Sequence, residues 1–304
     1  MNKESGPILT MPYFHKRWNP DDIDELNELG ANGVIFCIRE SHRGGEQSID
    51  SMKLSVDRAN SLGMKTEADL WGGGRVFGGE ANSEFDFNSP ACYDEHGAGD
   101  EFNRMLRDYI RFADNLGVDG LFWDEPHFKD CPHCIAQSKS KLSNEYRLVH
   151  KYAEYDRRLY GLENSICFTS NDKNIELMGR LATKRYIQQI GTDPYYTNYP
   201  NHVDGPDNYV DRYAESVLIS AGKMSKEAQI FVQGFDLRED WEDIPLRAAE
   251  AAIKKGIRRI GFWGCVNWER SEMDFGYPDI VPARNDLVIQ NVPEIRSMLE
   301  RASS

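Results

Sequence analysis

No apolar run in the sequence approaches the roughly 18 residues that a membrane-spanning helix requires, which excludes a helical membrane span. Basic residues are outnumbered, 36 against 50 acidic ones, for a net charge of −14. A surface of that sign repels phosphate backbones and offers no polybasic membrane contact, so neither nucleic acid nor membrane is an expected partner. No G-x-G-x-x-G follows the first apolar run, which removes the main signature of a dinucleotide-binding fold. Residues Met1–Gly6 are polar and lack the basic, apolar, small-residue order of a secretory leader, and the expected location is cytoplasmic. No linker or low-complexity stretch interrupts the chain, and residues 1–304 are expected to form one domain.

What is present is a recurring two-part unit, a short apolar run followed by an amphipathic segment, which implies βαβ units and a parallel sheet. Strands are expected at Ile8–Phe14, Gly33–Arg39, Lys65–Leu70, Gly120–Asp124, Ser165–Thr169, Tyr186–Ile190, Gln229–Gly234 and Arg259–Cys265. Helices are expected at Asp21–Leu29, Ile49–Leu62, Asp100–Leu116, Pro132–Tyr160, Asn174–Thr183, Asp207–Ala221, Ile244–Lys255 and Val292–Arg301. Glycine follows the helical segment directly at Leu29-Gly30, Leu62-Gly63, Leu116-Gly117 and Lys255-Gly256. Each such glycine suits a left-handed cap that turns the chain back into the sheet. Two of these junctions are near-copies, Glu28-Leu-Gly-Ala-Asn-Gly33 and Asn115-Leu-Gly-Val-Asp-Gly120. Eight like units across 304 residues predict a closed (β/α)8 barrel of the TIM type.

In such a barrel the functional pocket lies at the carboxyl ends of the strands. Polar and aromatic residues gather there at every strand: Tyr13, Arg39 and Glu40, Asp69 and Trp71, Asp124 and Glu125, Ser170 and Asn171, Asp193 with Tyr195 and Tyr196, Gln233 and Asp236, and Trp263 with Trp268 and Glu269. A single carboxylate after a strand is most simply a cap for the next helix. Capping does not call for tryptophan or tyrosine, and the gathering as a whole points to a pocket. Amphipathic rings at its mouth suit the C–H faces of a sugar, although Trp123 reads as ordinary barrel packing. The longest strand-to-helix loop, Trp71 to Gly99, carries three consecutive glycines before Arg75, whose simplest role is an ion pair.

The sharpest segment is Gly120-Leu-Phe-Trp-Asp-Glu-Pro-His127, an apolar strand running into two acids and a proline. Asp193 in Gly191-Thr-Asp-Pro-Tyr-Tyr196 is the expected partner across the barrel mouth. Neighbouring carboxylates with different surroundings can divide the acid and base roles that glycoside cleavage requires.

Phe122-Trp-Asp-Glu-Pro126 resembles barrel glycoside hydrolases. In retaining α-galactosidase-like and α-glucosidase-like families an Asp ending strand four is the nucleophile and an Asp ending strand six the acid/base, the positions held by Asp124 and Asp193. β-Galactosidase- and cellulase-like families end strand four in Asn-Glu and strand seven in Glu. Here those places hold Asp124-Glu125 and Gln233, with Asp236 beyond, although Glu125 could serve as acid in a variant of that pattern. The resemblance implies catalytic Asp124, Glu125 and Asp193. From their places at the strand ends, substrate contacts are expected from Tyr13, Arg39, Glu40, Asp69, Trp71, Asn171, Tyr195, Gln233, Asp236, Trp263 and Glu269, and no cofactor is expected for catalysis. Two other functions stay open: a metal-dependent sugar isomerase or hydrolase using Glu40, Asp69, Glu125 and His127, and a carbohydrate-binding barrel without catalysis.

Of six cysteines, Cys37, Cys167 and Cys265 lie in strand-like runs and read as small buried hydrophobes. Cys131-Pro-His-Cys134 is a C-x-x-C, with His127 and His133 nearby and Cys92 in the preceding strand-to-helix loop. Three thiolates and one His or Asp would complete a tetrahedral zinc site. The set Cys92, Cys131, Cys134 and His127 resembles in part the zinc cluster beside the active site of some β-galactosidases. Free thiols, or a disulfide or redox role, are the alternatives.

Overall fold

The computed structural model describes residues 6–13, 19–37, 46–69, 90–91, 98–124, 129–130, 136, 141–170, 179–180, 184–195, 205–222, 225–234, 242–263 and 290–304. Eight parallel strands close a barrel: β1 (Ile8–Tyr13), β2 (Gly33–Cys37), β3 (Lys65–Asp69), β4 (Gly120–Asp124), β5 (Glu163–Thr169), β6 (Gln189–Asp193), β7 (Glu227–Gln233) and β8 (Arg259–Trp263), each paired with its neighbours in sequence and β8 with β1. Seven helices are found among the described residues: α1 (Pro20–Glu28), α2 (Glu46–Ser61), α3 (Ala98–Leu116), α4 (Lys141–Leu159), α5 (Gly205–Gly222), α6 (Ile244–Lys255) and α7 (Asn291–Arg301). The architecture is the (β/α)8 barrel that the repeat predicts.

Local chemistry accounts for the element ends. Asn19 caps α1 by accepting from the Asp21 N–H at 3.2 Å, with Pro20 opening the helix. Gly30, Gly63, Gly117 and Gly256 have positive φ, as their place after a helix predicts, and Gly161 after α4 joins them. At the end of α5 the outcome differs: Gly222 is still helical, and Ser225 takes the left-handed conformation, with φ 54.

One element departs from expectation. The sixth strand runs Gln189–Asp193, three residues later than the expected Tyr186–Ile190. Tyr186 and Ile187 are buried just before the strand. They supply the apolar signal, while the inner face of the strand is polar. The fourth helix is found at Lys141–Leu159, within the expected Pro132–Tyr160, residues 131–135 and 137–140 being outside the described set. The helix expected at Asn174–Thr183 also lies outside it, apart from helical residues 179–180.

The strands carry two unlike faces. Outward side chains such as Leu9, Val34, Leu121, Trp123, Phe168, Ile190, Val232 and Phe262 form one continuous core with the buried stripes of the helices. In α3 that stripe is Leu106, Ile110, Ala113 and Leu116, the spacing of one helical face. The helix α7 seals the seam between α6 and β1 with Val292, Ile295 and Leu299. The inward face is different, and its order follows from the register. Paired residues run Asp124, Cys167, Gly191, Gln229, Arg259, Ile8 from β4 round to β1. Continued through positions 31 and 63, the ladders regain β4 at position 116, so one circuit from 124 to 116 has a stagger of eight residues. With one residue of stagger per strand, inward side chains of alternate strands share a level.

Those levels pass from charged through apolar to acidic. At the amino-terminal end Lys65 pairs with Glu163 and Arg259 with Glu227. Above them Ser165 donates to Glu67 and Gln189 to Gln229. Then come Ile35, Phe122, Cys167 and Phe231, a small apolar cluster separate from the outer core. Gly261 makes room for it: the rings of Phe122 and Phe231 pack 5.2 Å apart, and a Cβ at Gly261 would overlap the Phe231 ring. Gly261→Ala is therefore expected to cost about 1–3 kcal/mol by overpacking, read as a lower urea midpoint; an unchanged midpoint would contradict this account of the seal.

Burial raises the pKa of Glu67 from its usual range, against the pull of Lys65 and of the Ser165 hydroxyl. The folded chain thus holds this proton more tightly than the unfolded chain. The stability it contributes is complete below the unfolded value of 4.5 and is lost as pH rises through the folded one. Glu67→Gln keeps an acceptor for Ser165 without the ionisable group. Its stability relative to wild type is expected to climb as pH rises from 4.5 through the folded value, and parallel denaturation-versus-pH curves would refute this.

Candidate functional site at the carboxyl ends of the strands

At and above the apolar seal, three carboxylates close their strands. Asp69 ends β3, Asp124 ends β4 and Asp193 ends β6; their exposures are 0%, 6% and 5%. Alternation along β4 puts Asp124 on the same inward face as Phe122, and along β6 it puts Asp193 on the face of Gln189. By the stagger, Asp124, Asp193 and Trp263 share one level, with Asp69, Cys167 and Phe231 on the level beneath.

The strand order refines one expectation. β4 and β6 do not oppose each other across the mouth but flank β5 as next-nearest neighbours. At an interstrand spacing of about 4.8 Å, the Cα atoms of Asp124 and Asp193 are on the order of 10 Å apart, with side chains converging on the barrel axis. The strand that faces β4 is β8, and it brings Trp263.

Trp263 is half-buried and lies against the seal, its ring 5.6 Å from Phe231 and 6.4 Å from Phe122. Tyr195 is also half-buried against this cluster, its N–H donating to the Asp193 carbonyl at 2.7 Å. Gln233 ends β7 and is buried. The acids therefore sit on an apolar floor, where interactions between charges are far less screened than in water.

Other expected residues have different places. Trp123 is fully buried on the outer face, as its packing role implies. Cys167 is a buried thiol outside any disulfide, in the inner cluster, the small-hydrophobe role expected of it. Ser170 turns outward and holds strand ends together: its hydroxyl shares a 2.8 Å hydrogen bond with Thr192, which donates to the Phe168 carbonyl at 2.6 Å. Tyr213 of α5 donates to the Ser170 carbonyl at 3.1 Å. Thr192, Tyr213, and the Asn164 and Asp156 pair behind Trp123 are supports that no strand-end pattern reveals. Tyr13 closes β1, its backbone at the expected position. Glu125, Arg39, Glu40, Trp71, Asn171, Asp236 and Glu269 lie outside the described residues, as do Arg75, Cys92, His127, Cys131 and Cys134.

Beside the barrel, the two-residue strands Pro90–Ala91 and Lys129–Asp130 pair in parallel, Pro90 with Lys129 and Ala91 with Asp130. In sequence each is followed immediately by a cysteine. Among the described residues, no three His, Cys, Asp or Glu side chains are grouped to share a metal ion, and no helix is long and apolar enough to cross a membrane.

No protein-family model and no curated protein matches the chain. Solved structures do. The endo-1,4-beta-mannanase from Rhizomucor miehei superposes with a TM-score of 0.67 at 10% identity, covering 99% of this chain and 97% of that one. The endo-beta-1,4-mannanase from Thermotoga petrophila gives 0.63 at 11% identity, covering 100% and 78%. The catalytic domain of the GH26 endo-beta-1,4-mannanase from Bacillus sp. JAMB-750 gives 0.62 at 14% identity, covering 97% and 87%. At such identities the likeness defines the class of fold, the (β/α)8 barrel. Activity has to be argued from the site.

Proposed function

We propose that residues 1–304 act as one catalytic domain, a glycoside hydrolase whose paired carboxylates come from the ends of β4 and β6. One observation carries this reading: Asp124 and Asp193 are buried at the same level of the barrel, on either side of β5 and above an apolar floor. In glycoside cleavage one ionised carboxylate faces the anomeric carbon, and a second, protonated, gives its proton to the departing oxygen. The resemblance assigns the first role to Asp124 and the second to Asp193, with Glu125 as the neighbouring acid. Trp263 and Tyr195 supply ring faces for a pyranose. Tyr13, Arg39, Glu40, Asp69, Trp71, Asn171, Gln233, Asp236 and Glu269 are the proposed partners for its hydroxyls. The mannanase likeness makes β-1,4-mannan the first polymer to try, beside a panel of aryl α- and β-glycosides.

On whichever substrate is cleaved, Asp124→Asn and Asp193→Asn are each expected to lower kcat about 10³-fold with little change in KM. Wild-type turnover in both variants would sink the pairing. Sugar binding with no turnover on any substrate would make the protein a carbohydrate-binding barrel, and turnover abolished by a chelator would favour metal-dependent chemistry.

The loop cysteines are proposed to hold structural zinc through Cys92, Cys131, Cys134 and His127. The parallel pairing of Ala91 with Asp130 supports it, since adjacent strands about 4.8 Å apart lead into Cys92 and Cys131. Elemental analysis is expected to find one zinc per chain, lost in Cys131→Ser. A metal-free chain in which all these thiols react freely, or in which two are oxidised, would refute it.

A further inference from the structure

Behind the pocket, a line of buried polar side chains joins the helix layer to β4. The Trp123 indole Nε1–H donates to Asn164 Oδ1 at 2.9 Å, and Asn164 Nδ2 donates to Asp156 Oδ2 at 2.8 Å. All three side chains are buried, Asp156 and Asn164 completely. Asp156 belongs to α4, Asn164 to β5, and Trp123 is the residue before Asp124. The Asn164 N–H is itself held by Gln188 Oε1 at 2.7 Å.

The chemistry of the three groups fixes the direction of the line. An indole N–H only donates and an ionised carboxylate only accepts, so the Asn164 amide has a single orientation that serves both. Whatever changes at Asp156 is therefore felt at the indole. Asp156 is also poised to change. Its second oxygen, Oδ1, is buried with no hydrogen-bond partner among the described residues, and an ionised carboxylate short of a bond is costly in such a place. Burial pushes its pKa up to about 7; the Asn164 amide and Arg157 on the same helix pull down, and Asp114 of α3 pushes up. The strands packed against it present Trp123 and Asn164, neither of which titrates.

We propose that Asp156 is a positioning residue for the pocket, transmitting its protonation state through Asn164 to Trp123 and so to the end of β4 that carries Asp124. With Asp156 ionised, its bond to Asn164 is charge-assisted, which polarises the amide and strengthens the hold of Oδ1 on the indole. With Asp156 protonated, that hold slackens. The link from Asp156 to Trp123 stands on the hydrogen bonds alone; the consequence for turnover rests on the glycosidase reading.

Two measurements separate these. In ¹⁵N-labelled protein, the Trp123 Nε1–H resonance, assigned by its loss in Trp123→Phe, is expected to shift with an inflection near pH 7. In Asp156→Asn, which keeps the size and an acceptor for Asn164, it is expected to stay flat over that range. Asn164→Ser breaks the line while leaving Asp156 in place, and is expected to abolish the inflection as well. A flat wild-type resonance, or an inflection that survives either substitution, overturns the relay, and this readout needs no substrate. On a substrate that the protein cleaves, Asp156→Asn is expected to lose the limb of the kcat profile near pH 7 with KM unchanged. Identical profiles for variant and wild type overturn the coupling to Asp124.

Discussion

Closure of the sheet is the constraint on which the site depends. A parallel sheet with open edges leaves two rows of unpaired backbone groups; joining β8 to β1 removes both. Closure with eight strands also demands a stagger, and here it is eight residues per circuit. That stagger, rather than any contact between the side chains themselves, sets Asp124 and Asp193 at one height. A shift of one residue in the pairing of β5 with β6 would turn the inward face of β6 outward and take Asp193 out of the pocket. The geometry of the carboxylates is thus determined by backbone hydrogen bonds throughout the barrel.

Because the helices bury the outer faces of the strands, the interior is released from holding the fold together. It carries ion pairs at the amino-terminal end, hydrogen-bonded polar groups above them and only a thin apolar seal around Phe122 and Phe231. Bulky branched side chains usually dominate the inside of this fold. The seal here is thin because it needs only to separate two polar regions: a self-neutralising one below and an acidic one above. It also gives the upper carboxylates an apolar floor.

Much of this was legible in the sequence because the outer layer dominates the pattern. Apolar strand bodies, helix-terminal glycines at 30, 63, 117 and 256, and the strand-end acids Asp69, Asp124 and Asp193 are all local signals. The misplacement of the sixth strand has a physical cause: the buried pair Tyr186-Ile187 precedes the strand, whereas its inward positions are Gln189, Gly191 and Asp193. Hydrophobicity marks what is buried against helices and is blind to what faces a polar interior. For the same reason the ion pairs of Lys65 and Arg259 and the line from Asp156 to Trp123 left no signature, since each joins residues far apart in the chain.

Two-residue periodicity makes a strand a coupling device by construction. At the end of β4 Trp123 points into the helix layer and Asp124 into the barrel, and the peptide between them is nearly rigid. On the proposed relay, a change in the pull on the indole alters the torsions that aim the carboxylate: among the described residues the ladder to β3 ends at Phe122, and Trp123 and Asp124 are paired with β5 alone. On that proposal, substitution in the helix layer alters the setting of Asp124 without touching the pocket. A residue such as Asp156, costly where it stands, makes physical sense in that position if its cost is the means by which the surroundings act on Asp124.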